Sequence, residues 1–274
     1  MSIRVERSGP VWTVINSNPE ARNAVDPTAA EELRQAFTEF DQDETALVAV
    51  FWGEGGSFCS GYDLKAASRL DEKRPLADLD FPPGSLEESV DGFGLPTGPM
   101  GPTRLELSKP VIAAIAGPAV AGGMELALWC DIRVMEESAY MGVYCRRWGV
   151  PLIDGGTVRL PRLVGEGRAL DLILTGRQVM AEECLRIGLA EYVIEDGESR
   201  ERAEDLAADI ARFPQECLRS DRESVRSQHG LPLLAAMAQE WEISSPVLAA
   251  EGIAGAGRFA RGAGRHGTFE DHDD

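Results

Sequence analysis

The stretch Lys109-Pro110-Val111-Ile112-Ala113-Ala114-Ile115-Ala116-Gly117-Pro118-Ala119-Val120-Ala121-Gly122-Gly123-Met124-Glu125-Leu126-Ala127-Leu128-Trp129 decides the fold. Val111 to Ala116 form an apolar run too short for a helix, the pattern of a strand buried on both faces of a parallel sheet. Gly117-Pro118 ends the run, and Gly122-Gly123 opens a helix that continues through Glu125 to about Trp129. An earlier unit has the same form: Leu47 to Trp52 is a buried strand stopped by Gly53, and a second glycine-rich turn, Gly53-Glu54-Gly55-Gly56-Ser57-Phe58-Cys59-Ser60-Gly61-Tyr62-Asp63-Leu64, follows it.

Working outward, Ile3, Val5, Val11, Trp12, Val14 and Ile15 read as β-structure broken by a Ser8-Gly9-Pro10 turn. Asp26 is an N-cap with Pro27 at the first helical position, and Leu33, Phe37 and Phe40 make one apolar helix face. Ile132 to Met135 is a third buried strand. Gly155 to Val164, Ala169 to Leu174 and Ala181 to Ile187 are short helices, the last stopped by Gly188. Ser199 to about Glu251 is helical with mixed charges. Strands alternating with helices, followed by a helical end, give an α/β core with an α-helical appendage. Between Ser68 and about Arg104, prolines and glycines crowd a segment without lasting periodicity, which reads either as a mobile surface insertion or as a flap over a pocket.

The 274 residues carry 27 Lys+Arg against 46 Asp+Glu, a net charge of −19. Such a balance argues against nucleic acid and against anionic membrane surfaces, both of which need clustered basic residues. The charged start Met1-Ser2-Ile3-Arg4-Val5-Glu6-Arg7 is unlike a signal peptide, and no apolar run approaches the length of a membrane span, so a cytoplasmic location is expected. Cys59, Cys130, Cys145, Cys184 and Cys217 are scattered, without a C-x-x-C pair. The three histidines (His229, His266, His272) all lie late in the chain and leave little material for a His-based triad or metal site, so no metal is expected. The first glycine turn is no dinucleotide fingerprint, because Phe58 stands where the third glycine is needed. Taken together, the two turns place backbone N–H groups at strand ends, and the second also at a helix N-terminus. Two such donors converging on one point would form an oxyanion hole; the alternative is two unrelated tight turns.

Asn18-Pro19-Glu20-Ala21-Arg22-Asn23-Ala24, Phe58 to Leu64, Lys109 to Gly117, Gly122 to Leu128, Cys130-Asp131, Gly155-Gly156-Thr157, Arg159 to Gly165 and Leu174-Thr175-Gly176 together resemble the enoyl-CoA hydratase/isomerase (crotonase) family. The resemblance runs in order from Asn18 to about Val193. It implies a spiral of ββα turns over residues 1–195, carrying the acyl-CoA site and a flexible insertion at about 68–104. Residues 196–274 would form a helical trimerisation region with an acidic tail. It also implies coenzyme A thioester substrates, a homotrimer or dimer of trimers, and no cofactor beyond the coenzyme A of the substrate.

By the same resemblance, the amides of Tyr62 and Gly122 hold the thioester oxygen, with the Tyr62 side chain incidental, and Glu125 is the first of the hydratase's two glutamates. A carboxylate beside an apolar pocket tends towards a raised pKa, which suits general acid/base work; otherwise Glu125 serves the helix dipole. The second glutamate is missing: Gly142-Val143-Tyr144-Cys145 stands in place of G-x-P-E, so Cys145 occupies the acid's position. Asp154 lies in a region where some relatives, among them dienoyl-CoA isomerases, carry a working aspartate; it also reads as the N-cap of the helix after it. Arg22 is the candidate for the coenzyme phosphates, or else a surface charge. Ala24, Ser60, Asp63, Leu64 and Gly123 map to coenzyme and substrate contacts, and Arg222 stands near a frequent helical lysine. The expected activity is hydration of trans-2-enoyl-CoA, with two alternatives: double-bond isomerisation, or acyl-CoA binding with little turnover. Arginines near the coenzyme would form a positive island on an acidic oligomer.

Overall fold

Alternating apolar residues on either side of Gly9, whose φ of +57° turns the chain, make β1 (Ser2–Ser8) and β2 (Val11–Ser17) an antiparallel hairpin. The protein is described by a computed structural model covering residues 2–73, 75–84 and 92–264. The remaining strands are β3 (Val48–Gly53), β4 (Val111–Ile115), β5 (Pro118–Val120), β6 (Ile132–Glu136), β7 (Tyr140–Gly142), β8 (Val179–Met180) and β9 (Tyr192–Ile194). One six-stranded sheet runs β1-β2-β3-β4-β6-β9, parallel from β2 onward, with Val14 beside Phe51, Phe51 beside Ala113 and Ala113 beside Arg133. A small sheet, β5-β7-β8, is added outside it. Sequence patterning missed this second sheet, since two- and three-residue strands are too short to carry a period.

The helices of the first compact unit, which ends at Ile210, are α1 (Pro27–Gln42), α2 (Leu64–Ala67), α3 (Gly122–Trp129), α4 (Gly156–Val164), α5 (Glu166–Thr175), α6 (Ala181–Ile187) and α7 (Ser199–Ala211). Asp26 caps α1 by accepting the Ala29 N–H at 2.9 Å, and Leu33, Phe37 and Phe40 are fully buried on its inner face. The Phe37 ring meets Phe51 at 5.4 Å and Trp129 at 4.8 Å, so α1, β3 and α3 share one aromatic core. Burying each such ring contributes about 2–3 kcal/mol. Gly188, at φ +77°, ends α6 as its sequence implies.

Helix α7 lies inside this unit although the sequence reading starts the helical region at 196. Glu204 accepts the Thr13 hydroxyl at 2.7 Å, and the Arg200 guanidinium lies 5.0 Å from the Trp52 ring. The irregular segment also needs correction at its C-terminal end. Leu95, Met100, Pro102 and Thr103 are buried, so this part of the supposed surface insertion is core. Residues 74 and 85–91, and the acidic tail with Glu270, Asp271, Asp273 and Asp274, lie outside the described residues, as do His266 and His272.

The second unit begins at Ala211 and contains α8 (Gln215–Ser227), α9 (Leu233–Val247) and α10 (Ile253–Arg261), the last two joined by a π-turn over Leu248–Gly252. The Glu251 carboxylate accepts the Glu216 and Cys217 N–H groups at 3.2 and 2.8 Å, capping α8 from within the unit. Leu233, Leu234, Trp241, Leu248, Ile253 and Phe259 are exposed. No helix among the described residues is long and apolar enough to cross a membrane.

Candidate active site

The two glycine-rich turns interlock. Phe58 and Cys59 donate their N–H groups to the carbonyls of Ala116 and Pro118 (2.7 and 3.1 Å), and the Cys59 carbonyl accepts the Val120 N–H at 3.0 Å. The chain then needs Gly61, whose φ is +98° and whose Cβ position would lie 3.0 Å from the Gly122 amide nitrogen. Only a residue without a side chain allows the segment before Tyr62 to touch the start of α3 in this way. Ala121, the residue before Gly122, is held at φ +54° and ψ −125°, a conformation costly for any residue with a Cβ. Gly123 is demanded by packing, since a Cβ there would stand 2.1 Å from the Cys59 carbonyl oxygen.

Asn23 ties the Asn18-to-Ala24 segment to the first turn. Fully buried at φ +57°, it donates to the Glu54 and Ser57 carbonyls (2.8 and 2.6 Å) and accepts the Asn18 N–H at 2.7 Å. Next to it, Arg22 is exposed, and Ser60 bonds its carbonyl through N–H and the Ala21 carbonyl through the hydroxyl, both at 3.0 Å. Ala24 is buried, Asp63 caps α2 by accepting the Lys65 and Ala66 N–H groups, and Leu64 is exposed. Arg22, Ala24, Ser60, Asp63 and Leu64 therefore form one edge of the first unit, whereas Arg222 belongs to α8 of the second.

Glu125 projects from the first turn of α3 and is only 3% exposed. Its Oε1 accepts the N–H groups of Asp154 (2.9 Å) and Gly156 (2.8 Å), and Oε2 has no partner among the described residues. Burial, reinforced by the negative charge of Asp154, pushes the Glu125 carboxyl up to about 7 in spite of those two bonds. Gly156 is required here, because a Cβ would lie 2.9 Å from Oε1.

Asp154 is not the N-cap of α4; Gly155, at φ +93°, holds that place. The Asp154 Oδ1 instead accepts the Met100 N–H at 3.0 Å and the Thr103 hydroxyl at 2.5 Å. Burial also raises its pKa, opposed first by the Thr103 bond and more weakly by Arg104 and Arg159. Arg159 fixes the loop by donating to the Asp154 carbonyl (3.1 Å) and the Thr103 carbonyl (2.9 Å). Met100 sits against Gly122, where a Cβ would clash with its sulfur at 2.5 Å. Sequence reasoning missed Met100 and Thr103; the available signal was Gly98 and Gly101, which bond each other through both backbones and bend the chain onto the site.

Cys145 is buried in a short 3₁₀ turn, Tyr144–Trp148, and burial together with the charge of Glu125 raises its thiol pKa. The structure therefore brings together the Tyr62 and Gly122 turns, Glu125, Asp154 and Cys145. A separate open depression of about 450 Å³ is lined by Trp52, Gly56, Glu136, Arg200 and Glu204 among others and contains none of these residues. Its guanidinium is engaged by Glu6 and Glu204, leaving an acidic rim ill-suited to an anionic ligand. No group of three or more His, Cys, Asp or Glu side chains able to hold a metal ion occurs among the described residues.

Comparison with known proteins bears on this geometry. The profile of the enoyl-CoA hydratase/isomerase family matches residues 6–82 and 103–260. The chain is 36% identical over 224 residues to the enoyl-CoA hydratase EchA19 of Mycobacterium tuberculosis, covering 80% of each. It is 33% identical over 233 residues to the carnitinyl-CoA dehydratase of Salmonella typhi, covering 85% of this chain and 83% of the relative. Among solved structures, an enoyl-CoA hydratase from Mycobacterium tuberculosis superposes with a TM-score of 0.81 at 29% identity, covering 94% of this chain and 95% of the other. One from Bacillus anthracis gives 0.82 at 28% identity, covering 95% and 96%.

Proposed function

Because the chain belongs to the enoyl-CoA hydratase/isomerase family, we propose that it adds water reversibly across the double bond of a trans-2-enoyl-CoA, with Glu125 as the proton-transferring group. The observation that carries this reading is the Glu125 carboxyl itself: buried, poised near 7, held by two amides at one oxygen and free at the other. A general acid/base works best when its pKa lies near the working pH. As the water oxygen bonds to Cβ, the π electrons move onto the thioester oxygen. The amides of Tyr62 and Gly122 take up that enolate charge, each donor contributing roughly 10²–10³ in rate. One proton of the water passes to Glu125, which delivers it to Cα to complete the 3-hydroxyacyl-CoA and regain its starting state. The scheme uses no metal or redox cofactor.

Coenzyme A lies along the Arg22, Ala24, Ser60, Asp63 and Leu64 edge, with Arg22 at its phosphates, and Gly123 lets the second turn close on the acyl group. The chain works as a homotrimer or a dimer of trimers. A second reading, double-bond isomerisation, is favoured by one observation, the burial of the Asp154 carboxyl next to Glu125; by the family resemblance a thiol, Cys145, stands in the place of the hydratases' second acid. One carboxyl could then take a proton from one carbon and return it to another. Incubation with crotonyl-CoA tests the first reading by loss of the enoyl absorbance, and Glu125→Gln abolishes that loss while binding persists. Binding without loss under any conditions refutes hydration, and conversion of a 3-enoyl-CoA to the 2-enoyl isomer without hydration selects the second reading.

A further inference from the structure

Tyr62 contributes its side chain as well as its amide. The ring packs against the hydrophobic core, yet the phenolic oxygen is shielded from solvent and has no hydrogen-bond partner among the described residues. A buried tyrosine hydroxyl ordinarily finds a partner, and one left alone destabilises the fold unless a ligand supplies the missing acceptor. Burial, together with the charges of Asp26, Asp63 and Asp154, raises its pKa, so it stays a protonated donor at neutral pH. Tyr62 follows Gly61, where a Cβ would stand 3.0 Å from the Gly122 nitrogen, so its side chain leaves the chain where the two glycine turns meet. Cys145, in the second acid's place, offers only a weak S–H donor. Beside the Glu125 and Asp154 carboxyls, the site thus holds one neutral, unpartnered O–H donor.

We propose that Tyr62 is a catalytic residue whose hydroxyl donates a hydrogen bond to the β-oxygen of the acyl group, the oxygen that arrives as water and, when the reaction runs backwards, departs as water with a proton from Glu125. It rests on the hydratase reading above. In the dehydration direction the Cβ–O bond breaks and its electron pair stays on oxygen, which takes a proton from Glu125 to leave as water while the phenol O–H meets the growing negative charge; no proton leaves Tyr62. The same contact orients the water for attack in the forward direction. The acyl groups accepted are those whose β-oxygen can reach the phenol.

Tyr62→Phe retains the amide and removes only the hydroxyl. Two reactions of the full chain separate its role: hydration of crotonyl-CoA, which needs the β-oxygen, and deuterium exchange at Cα of saturated butyryl-CoA in D₂O, which needs only the base and the donors for the thioester oxygen. The expected result is a fall of about 10–100-fold in the ratio of hydration to exchange, with a melting temperature at or above that of the parent because a buried orphan has been removed. Tyr62→Met is the second variant, should Phe fold poorly. A ratio within about twofold of the parent overturns the role of Tyr62 alone. Exchange without hydration in the unaltered chain overturns both this role and the hydratase reading.

Discussion

Glu125→Gln should make the protein more stable above neutral pH while removing catalysis, and the size of the effect follows from burial. The carboxyl moves from an ordinary 4.5 to about 7 in the folded protein, with desolvation as the leading cause and Asp154 next. A carboxyl whose folded pKa is raised binds its proton more tightly when folded. Its stabilising contribution is therefore complete below the unfolded value and is lost as pH climbs towards the folded one. At about 1.4 kcal/mol per unit, the loss between roughly pH 4.5 and 7 is about 3 kcal/mol. Glutamine does not titrate, and its carbonyl oxygen can still accept the Asp154 and Gly156 N–H groups that Oε1 accepts at 2.9 and 2.8 Å. Urea denaturation of both proteins at pH 5 and pH 8 measures the difference directly. The two should be close at pH 5, and the variant should lead by about 2–3 kcal/mol at pH 8. Parallel pH profiles for parent and variant would refute the claim that this carboxyl is folded at a desolvation cost, and with it the source of its poise near 7.

Three further outcomes are expected. Gly61→Ala forces a Cβ to 2.9 Å from the Ala121 Cβ and 3.0 Å from the Gly122 nitrogen at a φ of +98°; it should destabilise by about 1–3 kcal/mol and abolish turnover, read by thermal melting and the crotonyl-CoA assay. Thr103→Val removes the strongest interaction lowering the Asp154 pKa; Asp154 should titrate at higher pH, seen by NMR of the carboxyl carbon, at a stability cost of about 1–2 kcal/mol. Of the five thiols only Cys217 is exposed, so a chromogenic disulfide should react quickly with one equivalent in the native protein, and Cys217→Ser should eliminate that phase.

Most of the sheet and the early helices were legible in the sequence. Apolar runs such as Val111 to Ala116 and capping residues such as Asp26 act locally, and the strand and helix they imply formed with nearly the expected ends. The glycine turns were legible too, because a positive φ at Gly61 and the lack of space at Gly123 leave few other residues possible. Asp154 shows where this reasoning stops. Its place before Gly155 suits a cap or a working carboxyl equally well, and only the arrival of Met100 and Thr103, more than fifty residues earlier in the chain, settles where its side chain turns.

What the sequence alone determined is the set of backbone constraints: strands without a polar face, glycines where side chains cannot fit, and a carboxylate three residues into a helix. What only the tertiary structure decided is the state of the groups so assembled. The titration of Glu125 near 7, the burial of the 95–104 segment against Gly122 and the orphaned hydroxyl of Tyr62 depend on neighbours distant in the chain and on the exclusion of water. Desolvation belongs to a surrounding volume, and no local run of residues encodes it.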